Sequence, residues 1–221
     1  MTSSAKENNY DAIAKWYGPL SHLYSCGQIR ACKRFQLGVI APGDRVLYTG
    51  VGTGEDAAMA ARKGARVTVI DLSPGMVAQA RARFRSAGLE GSIEVLCGDV
   101  LAHAREGQYD VVASNFFLNV FEEKVMEAML AHLVRQVRPG GRLLIADFTP
   151  AGVPPLLSLA RRLYFGLAVR AFGLMANNAI HPLYDYAQRF EALGLRLEEA
   201  RGFGLLGLGP AFYGVLVAAK G

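Results

Sequence analysis

From Arg45 onward, short apolar runs alternate with segments whose apolar residues recur at helical spacing, and this alternation narrows the fold more than any other feature of the chain. RVLYTG (45–50), RVTVIDL (66–72), IEVLCGD (93–99), YDVVASN (109–115) and GRLLIADF (141–148) read as buried strands. EDAAMAARKG (55–64), PGMVAQARARFRSAG (74–88) and EEKVMEAMLAHLVRQV (122–137) read as the helices between them, with Gly64, Gly88 and Pro139-Gly140-Gly141 as stops. Strands this apolar, each followed by a helix, predict a mostly parallel sheet with helices on both faces. The C-terminal part differs. After a helix at about 183–193 come LRLEEARGF (195–203) and AFYGVLVAAK (211–220), joined without a helix, so they predict an antiparallel pair closing one sheet edge. The segment before residue 40 reads as helical, packed over the open end of the sheet.

Composition fits one α/β domain spanning 1–221, since 52% of the residues are apolar and 19% charged. The formal net charge of +5 raises a nucleic-acid partner. The basic residues are scattered, however, as Lys33-Arg34, Arg161-Arg162 and a helical group at Arg81, Arg83 and Arg85, which reads as a solvated face and argues for no nucleic acid. Cys26, Cys32 and Cys97 show neither CxxC spacing nor a Cys/His cluster, which predicts a reducing, cytoplasmic setting and no zinc. MTSSAKENNYDAIAKWYG lacks a long apolar core, so no signal peptide is expected.

The first strand ends in Gly50-Val51-Gly52-Thr53-Gly54 and passes directly into a helix near Glu55. Closely spaced glycines let backbone come into contact with a ligand at the carboxyl end of a strand. The dinucleotide fingerprint needs glycine at its sixth place, where this chain has Glu55. Glu55 and Asp56 also put two carboxylates where a pyrophosphate would otherwise meet the helix N-terminus. A phosphate-free ligand carrying positive charge suits such a loop.

GVGTG, Asp71 at the end of strand two, GDV at 98–100 and RPGG at 138–141 resemble, in this order, the motif set of class I S-adenosylmethionine (SAM)-dependent methyltransferases. The nearest subgroup is the small-molecule enzymes similar to the ubiquinone/menaquinone-biosynthesis C-methyltransferases. The resemblance spans about residues 10–148. It implies a Rossmann-like, seven-stranded, mostly parallel sheet, SAM as cofactor with S-adenosylhomocysteine as product, and a cofactor loop at Gly50, Gly52 and Gly54. Asp71, 21 residues after Gly50, would accept from the ribose hydroxyls; a cap for the helix at Pro74 is its plain alternative. Leu72 and Met76 would pack near the adenine. Asp99 would accept from the adenine amino group, or serve as a turn aspartate after Gly98, and Val100 would offer its backbone amide. One departure stands out. Tyr48 occupies the place where the family usually has an acidic residue orienting the methionine end of SAM. Tyr48 could still hydrogen-bond the cofactor but brings no charge, so either cofactor binding is weaker or the ammonium is met by Glu55 or Asp56.

YDAIAKWYGPLSHLY (10–24) resembles the family's N-terminal cover, with Gly18 in place of its second aspartate. It makes 1–40 a helical cover. Tyr10 and Tyr17 are the candidates to close over SAM, although aromatic core packing explains them equally well. Strand four ends in Ser114-Asn115-Phe116-Phe117-Leu118-Asn119, which the resemblance puts beside the transferring methyl group. Asn115 is the candidate there to hold the methionine part of SAM, and Phe116 and Phe117 are apolar walls or core. Residues 149–182 are too many for a plain connection, rich in Leu, Phe and Met, and carry Arg161, Arg162 and Arg170. They read as a helical lid over an apolar acceptor pocket. Weak membrane-surface contact through 154–175 and a homodimer surface are the other roles; the run is too short and too charged to span a bilayer.

Methyl transfer needs acceptor and methyl aligned at about 3–3.5 Å, water excluded and, for some acceptors, a proton taken. Candidate bases are His181 at the end of the lid, then His22, Asp147 and Tyr184; Tyr17 and Asn115 would flank the reacting centre. No metal is implied, and His103 and His132 fall on expected surface helices or loops. Three readings follow. The first is an enzyme methylating O, N or C of a small aromatic or lipophilic metabolite. Tyr48 motivates the second, a SAM-binding regulator or inactive paralogue, and the positive charge the third, an RNA or protein methyltransferase.

Overall fold

The apolar runs pair as expected in a computed structural model, which describes residue 22 and residues 25–149, 183–204 and 211–221. β1 (Arg45–Thr49) lies between β2 (Arg66–Asp71) and β4 (Tyr109–Asn115), β2 pairs with β3 (Ile93–Cys97), and β4 with β5 (Val137–Phe148), all parallel. β7 (Ala211–Lys220) adds antiparallel to β5, and β6 (Leu195–Gly204) antiparallel to β7. The result is a seven-stranded sheet in the order β3-β2-β1-β4-β5-β7-β6.

Strand alternation sorts the core into two layers. Val46, Tyr48, Val67, Val69, Val111, Ala113, Leu144 and Ala146 face one way, under α1 (Gln28–Leu37), α2 (Glu55–Arg62) and α3 (Pro74–Ser86). Leu47, Ile70, Val112, Leu143 and Ile145 face the other, under α4 (Glu123–Gln136) and the 184–193 segment. Local chemistry sets the helix ends. Ser73 caps α3 by accepting from the Met76 backbone N–H at 3.1 Å, and Pro74 sits in the first turn where its missing N–H costs nothing. α3 then buries Met76, Val77, Ala80 and Phe84, one stripe of a 3.6-residue period.

Four expectations change. α1 lies across one face of the sheet against α2 and β5–β7, not over its open end, and buries Cys32 and Gln36 there. The expected helix at 183–193 is only two 3₁₀ turns, Ala187–Arg189 and Glu191–Leu193. Tyr184, Tyr186 and Phe190 are all buried, and a spacing of two cannot line one face of an α-helix. Pro139-Gly140-Gly141 does not end a helix before a separate strand. β5 begins directly after α4; Tyr109 pairs with Val137 and Val111 with Arg142, so the residues between bulge out where proline has no N–H to give. His132 is not on the surface but 5% exposed, donating from Nε2 to the His103 carbonyl at 3.0 Å.

Candidate active site

The sheet order reverses direction between β1 and β4: the chain leaves β1 toward β2 on one side and later returns to fill the other. Crevices of parallel sheets open at such a point, outside the carboxyl ends of the strands. The ends of β1, β2 and β4 carry the glycine loop, Asp71 and Asn115, so the topology gathers most of the expected residues at one edge. A groove of about 600 Å³ at the opposite edge is lined by the strand starts Arg45, Arg66, Ile93 and Tyr109 and holds none of them.

The glycine loop is shaped largely by the protein itself. Gly50 and Gly54 have φ of +68° and +70°. A Cβ on Gly50 would lie 2.7 Å from the Phe117 ring, and one on Gly54 2.8 Å from the ring of Phe84. Both positions need glycine for the backbone turn and for two aromatic rings packed beneath it. Gly52, between them, also has positive φ, at +51°.

The two carboxylates opening α2 do not wait for a ligand's charge. Glu55 pairs with Arg30, and Asp56 Oδ2 lies 3.1 Å from Lys33 Nζ, both cations coming from α1. Asp56 is 5% exposed, and a carboxylate taken that far from water must be paired. Glu55 and Asp56, the residues expected to meet the cofactor's ammonium, thus form an α1–α2 clamp with Arg30 and Lys33. Tyr48 is buried on the same face; burial, and then the Asp56 charge, push its phenol well above its ordinary range, so it stays neutral.

Asn115 closes β4, is 8% exposed and donates from Nδ2 to Asp56 Oδ2 at 2.9 Å. Its Oδ1 is buried without a hydrogen-bond partner among the described residues, and so are Thr49 Oγ1 and Ser114 Oγ. Thr49 and Ser114 are register partners on β1 and β4. Thr49 and Ser114 face the other layer of the sheet; buried polar groups are almost always satisfied, so the Asn115 carbonyl at the end of β4 marks a place for a polar partner. This is the fit expected of a cofactor with an amino-acid end. Immediately after Asn115, Phe116 adopts φ +54°, a conformation that costs a non-glycine residue about 1–2 kcal/mol. Its ring meets Phe148 and Tyr213 edge-on at 5.6 and 6.0 Å.

At the end of β2 the Asp71 carboxylate accepts from the Ser73 backbone N–H at 2.9 Å, which aims it along the strand end. Leu72 beside it is 70% exposed, whereas Met76 is 2% exposed and belongs to the core. Asp99 is exposed and caps the 3₁₀ turn Val100–Ala102 by accepting from the Leu101 N–H at 2.9 Å, so its turn role is realised; Val100 is buried. Tyr10, Tyr17, His181 and all but the first residue of the 149–182 insertion lie outside the described residues. Of the other candidate bases, His22 is exposed.

Asp147 is fully enclosed at the end of β5. It accepts from Asn119 Nδ2 at 2.6 Å, Tyr186 Oη at 2.7 Å and the Phe148 N–H at 2.8 Å. Burial raises its carboxyl to about 7, against those hydrogen bonds, which lower it. Sequence reasoning singled out Asp147 but missed this network, as it missed Lys33. The only hint was an aspartate within the apolar run LLIADF.

The methyltransferase-domain family model matches residues 46–141, from β1 to the bulge in β5. A demethylmenaquinone methyltransferase from Beutenbergia cavernae is 34% identical over 186 residues, covering 81% of this chain and 72% of that protein. A ubiquinone/menaquinone biosynthesis C-methyltransferase from Vibrio vulnificus is 29% identical, covering 81% and 73%. Among solved structures, magnesium protoporphyrin IX methyltransferase from Synechocystis with bound SAM superposes with a TM-score of 0.63 at 19% identity, over 89% of this chain and 81% of that one, which shows the shared fold. The identity to the Beutenbergia enzyme runs through the cofactor edge and on past it, so the chain belongs to the class I SAM-dependent methyltransferases of the small-molecule type, related to the ubiquinone/menaquinone-biosynthesis enzymes, and transfers the methyl group of SAM to a small metabolite.

Proposed function

We propose that the acceptor is a small apolar, aromatic molecule of the quinol kind, seated at the carboxyl ends of β4 and β5. The observation that carries this reading is the set of half-buried phenylalanines there. Phe116 pairs edge-to-face with Phe148 against one core layer, and Phe117 with Phe121 against the other, at the ends of the strands. Aromatic walls of this kind bury a planar ring and favour edge-to-face contacts. The names of the menaquinone- and ubiquinone-pathway relatives point the same way.

In this reading the chain is one domain, with 1–40 as its cover and 149–182 as an apolar lid, and a homodimer or a bilayer surface is met, if at all, through the lid. Among the described residues no helix is long and apolar enough to cross a membrane. SAM supplies an activated methyl group. Asp71 holds the ribose, Leu72 covers the adenine, and Asn115 Oδ1 accepts from the ammonium of the methionine part. Gly50, Gly52 and Gly54 shape the loop beneath it, Tyr10 and Tyr17 close over the SAM carboxylate and the transfer centre, and His181 stands at the end of the lid. A quinol hydroxyl titrates near the ordinary phenolic value of about 10, so the transfer needs a group to take its proton, and His181 is the candidate.

The test is transfer of labelled methyl from SAM into a cell extract, partitioned between organic solvent, RNA and protein. Label in the organic phase, reproduced with a purified demethylated naphthoquinol, supports the reading. Label in RNA or protein would sink it. SAM binding without any transfer would favour the regulatory alternative that Tyr48 raises.

A further inference from the structure

Lys33, Asp56 and Asn115 form a buried chain from α1 through α2 to the end of β4. Asp56 Oδ2 receives both Lys33 Nζ at 3.1 Å and Asn115 Nδ2 at 2.9 Å. An aspartate beside an ammonium accepts and does not donate, so the amide must turn its NH₂ toward Asp56. The orientation of Asn115 is thereby set by chemistry: its Oδ1 points the other way, buried and without a partner among the described residues. The ion pair is internally neutral and adds no net charge to the crevice. What it contributes is direction.

We propose that Lys33 and Asp56 are positioning residues that hold the Asn115 carbonyl toward the α-ammonium of the methionine part of SAM, so that docking of α1 and recognition of the amino-acid end of the cofactor are coupled. This rests on the reading that Asn115 contacts that end of SAM. Neither Lys33 nor Asp56 touches the ligand. Lys33 stands on α1, outside the segment matched by the methyltransferase-domain model, so the pair extends the cofactor site into the N-terminal part of the chain.

The test compares S-adenosylhomocysteine with 5′-methylthioadenosine, which keeps the adenosine and the thioether but lacks the amino acid. Affinities are measured by calorimetry on the whole chain. Asn115→Ala should lower S-adenosylhomocysteine affinity roughly tenfold while leaving methylthioadenosine unchanged. Asp56→Asn should reproduce a several-fold part of that selective loss, and should add nothing when combined with Asn115→Ala, because both act through one carbonyl. Should Asp56→Asn not fold, Lys33→Met with Asp56→Leu replaces the pair by apolar side chains of similar size and should show the same selective loss. A selective loss in Asn115→Ala with none in either pair variant overturns the positioning role alone. Equal losses for both ligands in the pair variants also overturn it, since they report only a disturbed fold. If Asn115→Ala itself leaves the ratio unchanged, the contact of Asn115 with the cofactor falls, and the inference with it.

Discussion

The Tyr186 hydroxyl donates to Asp147 Oδ2 at 2.7 Å, tying the first described segment after residue 182 to the end of β5. Asn119 Nδ2 reaches the other oxygen of the same carboxylate at 2.6 Å, so a single buried group joins the end of β5, the turn after β4 and the 184–193 segment. No cation is paired with it among the described residues, and burial raises it to about 7.

That displacement has a definite sign. Between the ordinary value of 3.8 and about 7 the folded protein keeps a proton that the unfolded chain has lost. Stability contributed by this group is therefore fully present below that window, falls as pH rises through it, and levels off above. Asp147→Asn should cancel this slope, so the difference in unfolding free energy between variant and wild type should move in favour of the variant with rising pH. Urea titrations at several pH values measure it. Parallel curves would show that Asp147 does not titrate in this range.

Gly54 is predicted to tolerate no side chain. Gly54→Ala combines a left-handed φ of +70° with a Cβ 2.8 Å from the Phe84 ring. The expected loss is about 2–5 kcal/mol, the sum of backbone strain and overpacking. Phe84→Leu in the same chain should restore the overpacking part while the strain remains. Thermal and urea unfolding would show it, and additive losses in the double variant would contradict the contact.

Phe116 offers a reversal of the usual order. With φ at +54°, Phe116→Gly sheds the backbone strain along with the ring, whereas Phe116→Ala keeps the strain and loses the ring. The alanine variant should be less stable than the glycine variant by about 1 kcal/mol, opposite to the ordinary ranking of these two residues. Equal stabilities would mean that the backbone relaxes once the ring is gone.

Asp71→Ala should weaken S-adenosylhomocysteine and 5′-methylthioadenosine together, by tenfold or more on the scale of about 1.5–3 kcal/mol for a hydrogen bond to a charged group. Both ligands keep the ribose, and this distinguishes Asp71 from Asn115. Asp99→Ala should cost less, since Asp99 is exposed whereas Asp71 is half-buried. Calorimetry reads both, and an unchanged affinity in Asp71→Ala would remove the ribose assignment.

Much of this protein was legible along the chain. The alternation of apolar runs with helical stripes, the glycine loop and Asp71 depend on residues near one another in sequence, where periodicity and turn chemistry act locally. Boundaries of six of the seven strands lie within two residues of expectation, and β4 and β7 match end to end. The 183–193 segment was misread because its helix-compatible composition said nothing of Tyr184 and Tyr186 both turning into the core.

What only the tertiary structure decided lies between residues far apart in the chain. Glu55 and Asp56 looked like charges offered to a cationic ligand, but Arg30 and Lys33 reach them first from α1. Gly50 and Gly54 looked like room for a cofactor, yet Phe117 and Phe84 fill the space beside them. The Asn115 carbonyl, without a partner among the described residues, follows from a hydrogen bond to a residue 59 positions away. Sequence determines which chemical groups a segment carries; which of them are already satisfied depends on contacts made across the sheet, and a group satisfied within the protein is no longer available to a ligand.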